Sequence, residues 1–365
     1  MNKTSEEGDN NAKRQLSLFY IALERKIMMI NQMTGKQSIE FQKAPYIISS
    51  ASAVGPKEGE GPLGEWFDLV APAADFGEDT WEAAESTMQK EALQTAVGKA
   101  NLTTEQIRYL FGGDLLAQLI ATSFGNGETD IPLFGLYGAC STCGESLALA
   151  AMTVAGGYAD YAAALTSSHF GSAEKEFRFP LGYGNQRPLS ASWTVTGSGA
   201  FVLAAKGGHV KVSGVTPGRI VDMGVKDNMN MGACMAPAAA DTIRQNLIDF
   251  GRQPSDYDRI ITGDLGAVGQ HILIDLLKEK GVDISQQHLD CGIEIYDSER
   301  QDTHAGGSGC GCAAVVLSAM ILPKLRKGIW KRVLFVPTGA LLSKVSFNEG
   351  KSVPGIAHGV VLEHV

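Results

Sequence analysis

The chain repeats itself. "LTTEQIRYLFGGDLL" (102–116) resembles "RQPSDYDRIITGDLG" (252–266): turn or cap residues, an apolar strand, then Gly-Asp-Leu. "GACSTCGESLALAAM" (138–152) resembles "GSGCGCAAVVLSAMI" (307–321), a glycine-rich turn that opens a long apolar helix. "YAAALTSSH" (161–169) resembles "RVLFVPTGA" (332–340), and "GSGAFVLAA" (197–205) resembles "AHGVVLEHV" (357–365). Four matches in one order, offset by about 150–170 residues, indicate an internal duplication.

Each half alternates strand and helix, so the class is α/β with a largely parallel sheet. Helices such as 143–155 are apolar all round and need burial on every side. Two halves packed face to face would supply it, as a layered α-β-α-β-α sandwich. The expected organisation is an extension at 1–32, an N-terminal half at 33–206 and a C-terminal half at 207–365. The boundary falls near Lys206-Gly207-Gly208. The extension reads as a flexible tail, or as residues upstream of the true start.

Hydrophobic residues make up 44% and charged residues 19%, which is a core-rich globular composition. The net charge of −9 argues against nucleic-acid binding and against electrostatic attachment to anionic lipid. The six cysteines, without a secretory signal, read as reduced thiols in a chain made in the cytoplasm and not secreted. Cys140 with Cys143 and Cys310 with Cys312 are too closely tied to apolar helices for a zinc knuckle, and no metal or cofactor is expected. No segment reads as membrane-spanning; the run Cys310–Leu322 is too short and stops at Pro323.

Cys140 follows Gly138-Ala139 and precedes an apolar helix. A helix start leaves N–H groups unpaired and carries partial positive charge, which favours a thiolate or a bound anion. Asp114 and Asp264 each follow glycine and precede a helix, so N-capping is their expected role, with calcium binding the alternative. "MGACMAPAAADTIRQ" (231–245) reads as either a tightly packed wall or a dimer seam. His209, His271, His288 and His364 read as surface or terminal residues.

The duplicated Gly-Ala-Cys helix start resembles the thiolase-like superfamily. A closer likeness, to a sporulation-protein branch of it, is carried by "SSASAVGPKEGEGPLGEWFD", "YGACSTC", "TSSHFGSAEKEFRFPLGYGNQRP", "ITGDLGAVG" and "AGGSGCGCAAVV", and extends from Thr34 to Glu363. In thiolases and ketoacyl synthases the cysteine matching Cys140 takes up an acyl group, with histidine and asparagine partners. Ketoacyl synthases carry Pro-His-Gln-Ala-Asn where this chain has Thr262-Gly263-Asp264-Leu265-Gly266, and Gly-Asn-Thr where it has Ala305-Gly306-Gly307-Ser308. The thiolase Gly-His-Pro turn is also missing.

The resemblance therefore implies a non-catalytic subunit that binds dipicolinic acid (pyridine-2,6-dicarboxylate), with or without calcium. It further implies a peripheral place at the spore inner membrane, among the proteins that move calcium dipicolinate during sporulation and germination, and a homodimer paired through the N-half sheet. The alternative is a condensing acyltransferase with Cys140 as nucleophile and His304 or His358 as partner. A flat dianion calls for cations or N–H donors beside an apolar wall. Residues 166–188 offer His169, Lys175, Arg178 and Arg187, interleaved with Phe177, Phe179 and Tyr183. The expected pocket residues are Cys140, His169, Arg178 and His358.

Overall fold

Two copies of one five-stranded pattern make up the chain from Thr34 onward, as the duplication requires. The structure is a computed structural model and describes residues 31–177 and 187–365. In the first half, β1 (Tyr46–Val54) is followed by α1 (Trp81–Lys99), β2 (Tyr109–Gly113), β3 (Leu133–Gly135), α2 (Thr142–Ala155), β4 (Tyr161–Ser168), α3 (Phe170–Phe177) and β5 (Gly197–Ala204). In the second, β6 (Val210–Thr216) leads to α4 (Met231–Asp249), β7 (Arg259–Gly263), α5 (Gly266–Glu279), β8 (His288–Asp290), α6 (Cys310–Val316), β9 (Arg332–Ala340) and β10 (Gly359–His364).

Spatial order repeats as well. The first half runs β1-β5-β4-β2-β3 and the second β6-β10-β9-β7-β8. In each, the first two neighbour pairs are antiparallel and the last two parallel. The repeat extends to the turns before β2 and β7. Gln106 Oε1 accepts from Thr103 N at 2.9 Å, and Asp256 Oδ2 accepts from Gln253 N at 2.7 Å. Each half was expected to keep its own sheet; instead Lys211 of β6 pairs with Tyr46 of β1 and joins the two into one hydrogen-bonded sheet.

The layers follow from hydropathy. Every residue of α6 is buried, as is the π-helical turn 317–321 that continues it. A helix with no polar face must have apolar partners all round. Accordingly α6 packs on β4 and β5 of one half and β7 and β9 of the other. Helix α2 is likewise held between β2 and β4 on one side and β9 and β10 on the other. Helix α1 covers the outer face of the first half, where Thr80 Oγ1 caps it by accepting from Ala83 N. Helices α4 and α5 cover the outer face of the second. The result is the α-β-α-β-α sandwich. Residues 34–365 form one compact unit, and the turn between β5 and β6, residues 205–209, lies inside it.

Candidate ligand-binding site

Cys140 is presented by a tight elbow. Ala139 sits in the left-handed region at φ 51°. Ser141 Oγ donates to Gly138 O at 2.7 Å, Thr142 Oγ1 donates to Ala139 O at 2.7 Å, and Gly138 N donates to Thr142 Oγ1 at 3.0 Å. These small hydroxyl residues hold a conformation that alanine disfavours. The elbow leads through a single 3-10 turn, Ala139–Ser141, into α2.

Half-buried Cys140 lines a cavity of about 260 Å³. Both halves build it. The first contributes Leu115, Tyr137 and the elbow, with Ala173 and Phe177 from α3. The second contributes Met231 and Met235 from α4, Ser308 and Gly309 before α6, Ala340 at the end of β9 and residues 341–343 after it. A short parallel pair, Trp193–Thr194 with Gly307–Ser308, brings Thr194 beside Ser308. The lining is mostly apolar, and its polar side chains are hydroxyls, the phenol of Tyr137 and the thiol. Among the described lining residues none is His, Asn, Asp, Glu, Lys or Arg.

The expected pocket residues do not converge. His169 is 1% exposed and stands outside this lining. Its Nε2 bonds Ala74 O at 2.7 Å, its Nδ1 accepts from Gly171 N at 3.0 Å, and its ring stacks on Trp81 at 5.3 Å. With both nitrogens engaged, it anchors the start of α3 against α1; burial lowers its pKa. His358 accepts from Gly218 N through Nδ1 at 3.2 Å and is also outside the lining, with burial lowering its pKa to about 4. It abuts α2 at Gly144, one turn beyond Cys140. Arg178 lies outside the described residues, next in sequence to Phe177. Lys175 pairs with Glu82 at 2.7 Å on the surface. Arg187 bonds Asp302 O at 2.8 Å and lies 4.8 Å from the centre of the Trp193 ring. His304 is held by Pro188 O and Asp302 and does not reach the lining.

Met231, Met235, Ser308 and residues 341–343 were missed. Two methionines four apart on one helical face were the available signal for the first two. The same helix settles how "MGACMAPAAAD" packs inside the chain: Gly232 crosses Gly269 of α5 so closely that a Cβ at 232 would lie 2.8 Å from Gly269 N.

The duplicated partners of the motif residues differ. Cys310, the counterpart of Cys140, is fully buried and donates its S–H to Ser167 O at 2.8 Å. Burial and nearby negative groups push its pKa well up. Asp114 does stabilise a helix start: Oδ2 accepts from Thr122 N at 2.8 Å and from Thr122 Oγ1 at 2.6 Å, and Oδ1 accepts from Leu116 N at 2.8 Å. Asp264 does not. The amides of Leu265 and Gly266 are taken by Asp290, which ends β8 and reaches across, so Asp264 does not cap its own helix start; its buried carboxyl faces the amides of Gly309 and Thr338 and the Cys312 thiol instead, none at close hydrogen-bond geometry. Burial and the nearby Asp290 raise the Asp264 pKa well above the usual carboxylate range. His288, expected at the surface, is buried against Thr262 Oγ1 at 2.9 Å. Among the described residues no cluster of three His, Cys, Asp or Glu side chains is disposed to hold a metal.

Residues 35–363 match the family model of stage V sporulation protein AD. The chain belongs to the stage V sporulation protein AD family. Stage V sporulation protein AD of Bacillus subtilis (strain 168) is 44% identical over 332 residues, covering 91% of this chain and 98% of that one. Membership of the stage V sporulation protein AD family makes this a sporulation protein. Solved structures confirm a thiolase-like fold. The tetronic acid condensing enzyme AbyA1 superposes with a TM-score of 0.56 at 20% identity, over 87% of this chain and 99% of that one. The 3-oxoacyl-[acyl-carrier-protein] synthase III of Aquifex aeolicus VF5 gives 0.53 at 13% identity, over 88% and 100%. Among the described residues of this family member, no helix is long and apolar enough to cross a membrane.

Proposed function

We propose that the chain is a non-catalytic binding subunit whose Cys140 cavity takes dipicolinate. The observation that carries this reading is a small, mostly apolar cavity at a helix start, with Cys140 and several hydroxyls on its wall. The chain also departs from the histidine and asparagine motifs of the ketoacyl synthases at residues 262–266 and 305–308, and acyl transfer needs such partners, whereas binding does not. The volume of about 260 Å³ is just under the range of about 300–1,000 Å³ usual for drug-sized ligands, and suits one small ring. Leu115, Phe177 and Met235 supply an apolar wall, and the hydroxyls of Thr194, Ser308 and Ser343 supply donors. The dianion's remaining requirement for a cation falls, in this reading, to Arg178, the residue after Phe177.

The chain would act peripherally at the spore inner membrane with other proteins of the same complex. The exposed edge strand β3, carrying Leu133 and Phe134 at 41% and 51% exposure, supports a homodimer paired there. The test of the main reading is calorimetric titration with dipicolinate, with and without calcium, and with picolinate as the one-carboxylate control. Saturable binding that prefers the dicarboxylate is expected, and a folded sample giving no heat would sink the reading. A condensing enzyme is the second reading, favoured by the apolar lining, which also suits an acyl chain. Covalent labelling of Cys140 by an acyl-CoA would establish it.

A further inference from the structure

One segment contradicts the bulk charge of the molecule. "KLRKGIWKR" (324–332) places five cationic residues within nine, in a chain whose net charge is −9. Two of the five are used internally. Arg326 reaches Ser50 Oγ at 3.3 Å, and Arg332 pairs with Glu363 at 2.7 Å. Lys324, Lys327 and Lys331, with Arg259 at the start of β7, form no ion pair among the described residues.

Apolar groups stand among them. Lys327 Nζ lies 5.5 Å from the centre of the Trp66 ring, and Lys324 Nζ 4.6 Å from that of Trp330. Trp330 is buried, but Trp66 and Ile329 are 57% and 63% exposed. The acids nearby are Glu294, Asp256, Asp258, Glu363, Asp68 and Glu65; Glu363 is paired with Arg332 and Lys211, and Asp68 with Lys99. Glu294 is mostly buried, with Lys324 and Arg259 opposing the rise that burial causes in its pKa. Asp258 is taken up by the amides of Lys331 and Arg332. Glu65 adjoins Trp66 in the chain.

We propose that the face carrying Trp66, Lys324, Lys327, Ile329 and Lys331 docks directly on the anionic headgroup surface of a lipid bilayer. Tryptophan and an exposed aliphatic side chain ringed by lysines suit the headgroup boundary: the ring and the isoleucine enter, and the long lysine stems carry their ammonium groups to phosphates. The face is made of a helix end, a turn and the first residues of two strands, so it offers no open strand edge for a peptide to extend. Net charge is a poor guide here, because screening confines each charge's reach to roughly 8–10 Å in physiological salt. The face also lies away from the cavity. Strand β9 begins at Arg332 beside it and ends at Ala340 in the cavity wall, roughly 26 Å on at about 3.3 Å per residue. This inference is independent of what the Cys140 cavity binds.

The test is co-sedimentation of the purified chain with phosphatidylcholine vesicles, with and without a phosphatidylglycerol fraction. Binding is expected only with the anionic lipid, weakening as salt is raised. Lys324→Gln, Lys327→Gln and Lys331→Gln should each cost roughly fivefold, and the triple variant on the order of 100-fold. Trp66→Ser with Ile329→Ser should also weaken binding, through the apolar part. A charge-matched control at the cavity end, Lys226→Gln with Lys344→Gln and Lys351→Gln, should bind as the native chain does. Unchanged thermal unfolding of each variant keeps misfolding out of the comparison. No binding to anionic vesicles overturns the proposal, as does an equal loss in the control. Binding to soluble polyglutamate but not to vesicles would assign the face to an acidic protein and overturn it equally.

Discussion

Gly339 of β9 lies against the backbone of Cys140. A Cβ at 339 would overlap the Gly138 carbonyl and stand 2.9 Å from Ser141 N and 3.1 Å from Cys140 N. A strand of the second half thus seats the elbow of the first, and the absence of a side chain at 339 sets how deeply the elbow sits. Gly339→Ala must push the elbow outward. Overpacking of this kind costs about 1–3 kcal/mol, which urea unfolding would read. The same variant should lose ligand affinity at the Cys140 cavity, because the displaced backbone is its wall.

Much of this arrangement was legible in the sequence because glycines and apolar runs punctuate it twice. Gly-Asp-Leu closes β2 and β7, and a glycine turn opens α2 and α6, so the order of elements along each half and the buried helix pair followed from repetition. Side-chain direction at element ends did not follow. His169 and Phe177 lie at opposite ends of α3, and only Phe177 reaches the cavity, since the His169 ring turns to Trp81. Met231 and Met235 line the cavity because α4 crosses α5 at Gly232, a tertiary contact that no local pattern encodes.

Asp114 and Asp264 occupy the same place in the repeat and should respond unequally to amide substitution. Asp114 accepts three hydrogen bonds, from Leu116 N, Thr122 N and Thr122 Oγ1. Asp114→Asn keeps one oxygen to accept from Thr122 but sets an NH2 group against the Leu116 amide. Leaving that buried donor unsatisfied costs about 1–3 kcal/mol, which is the loss expected. Asp264 takes no amide of its own helix start, and burial beside Asp290 already disfavours its charge, so Asp264→Asn should cost less than Asp114→Asn. Denaturant midpoints of the two variants check the contrast; equal losses would refute it.

Glu85 links stability to pH. Both its oxygens accept from serine hydroxyls, Ser167 and Ser172, each at 2.7 Å, yet burial and the neighbouring charge of Asp114 raise its pKa from 4.5 to about 8. The folded state therefore binds more protons than the unfolded one between about pH 4.5 and 8. Its contribution is full below that window and is lost as pH rises through it, by up to about 1.4 kcal/mol per unit. His288 and His358, lowered to about 4, act in the opposite sense between about pH 4 and 6.5. The comparison must therefore be differential. Glu85→Gln should gain on the native chain steadily from pH 5 to 8, whereas parallel stability curves would show that Glu85 titrates normally.

Cys140 separates binding by the sulfur from binding by the cavity. Its counterpart Cys310 is sealed in the core, so only Cys140 meets a ligand entering between the halves. If the helix start and the hydroxyls hold dipicolinate, Cys140→Ala removes one sulfur from the wall and should change affinity by less than about tenfold, or 1.4 kcal/mol. Cys140→Trp fills much of the roughly 260 Å³ cavity and should abolish binding while leaving the surface intact. Titration calorimetry on the three proteins decides the matter. Equal affinity in the native chain and Cys140→Trp would move the ligand elsewhere. A complete loss in Cys140→Ala would mean that the thiol itself contacts the ligand, and would turn attention back to covalent chemistry at this residue.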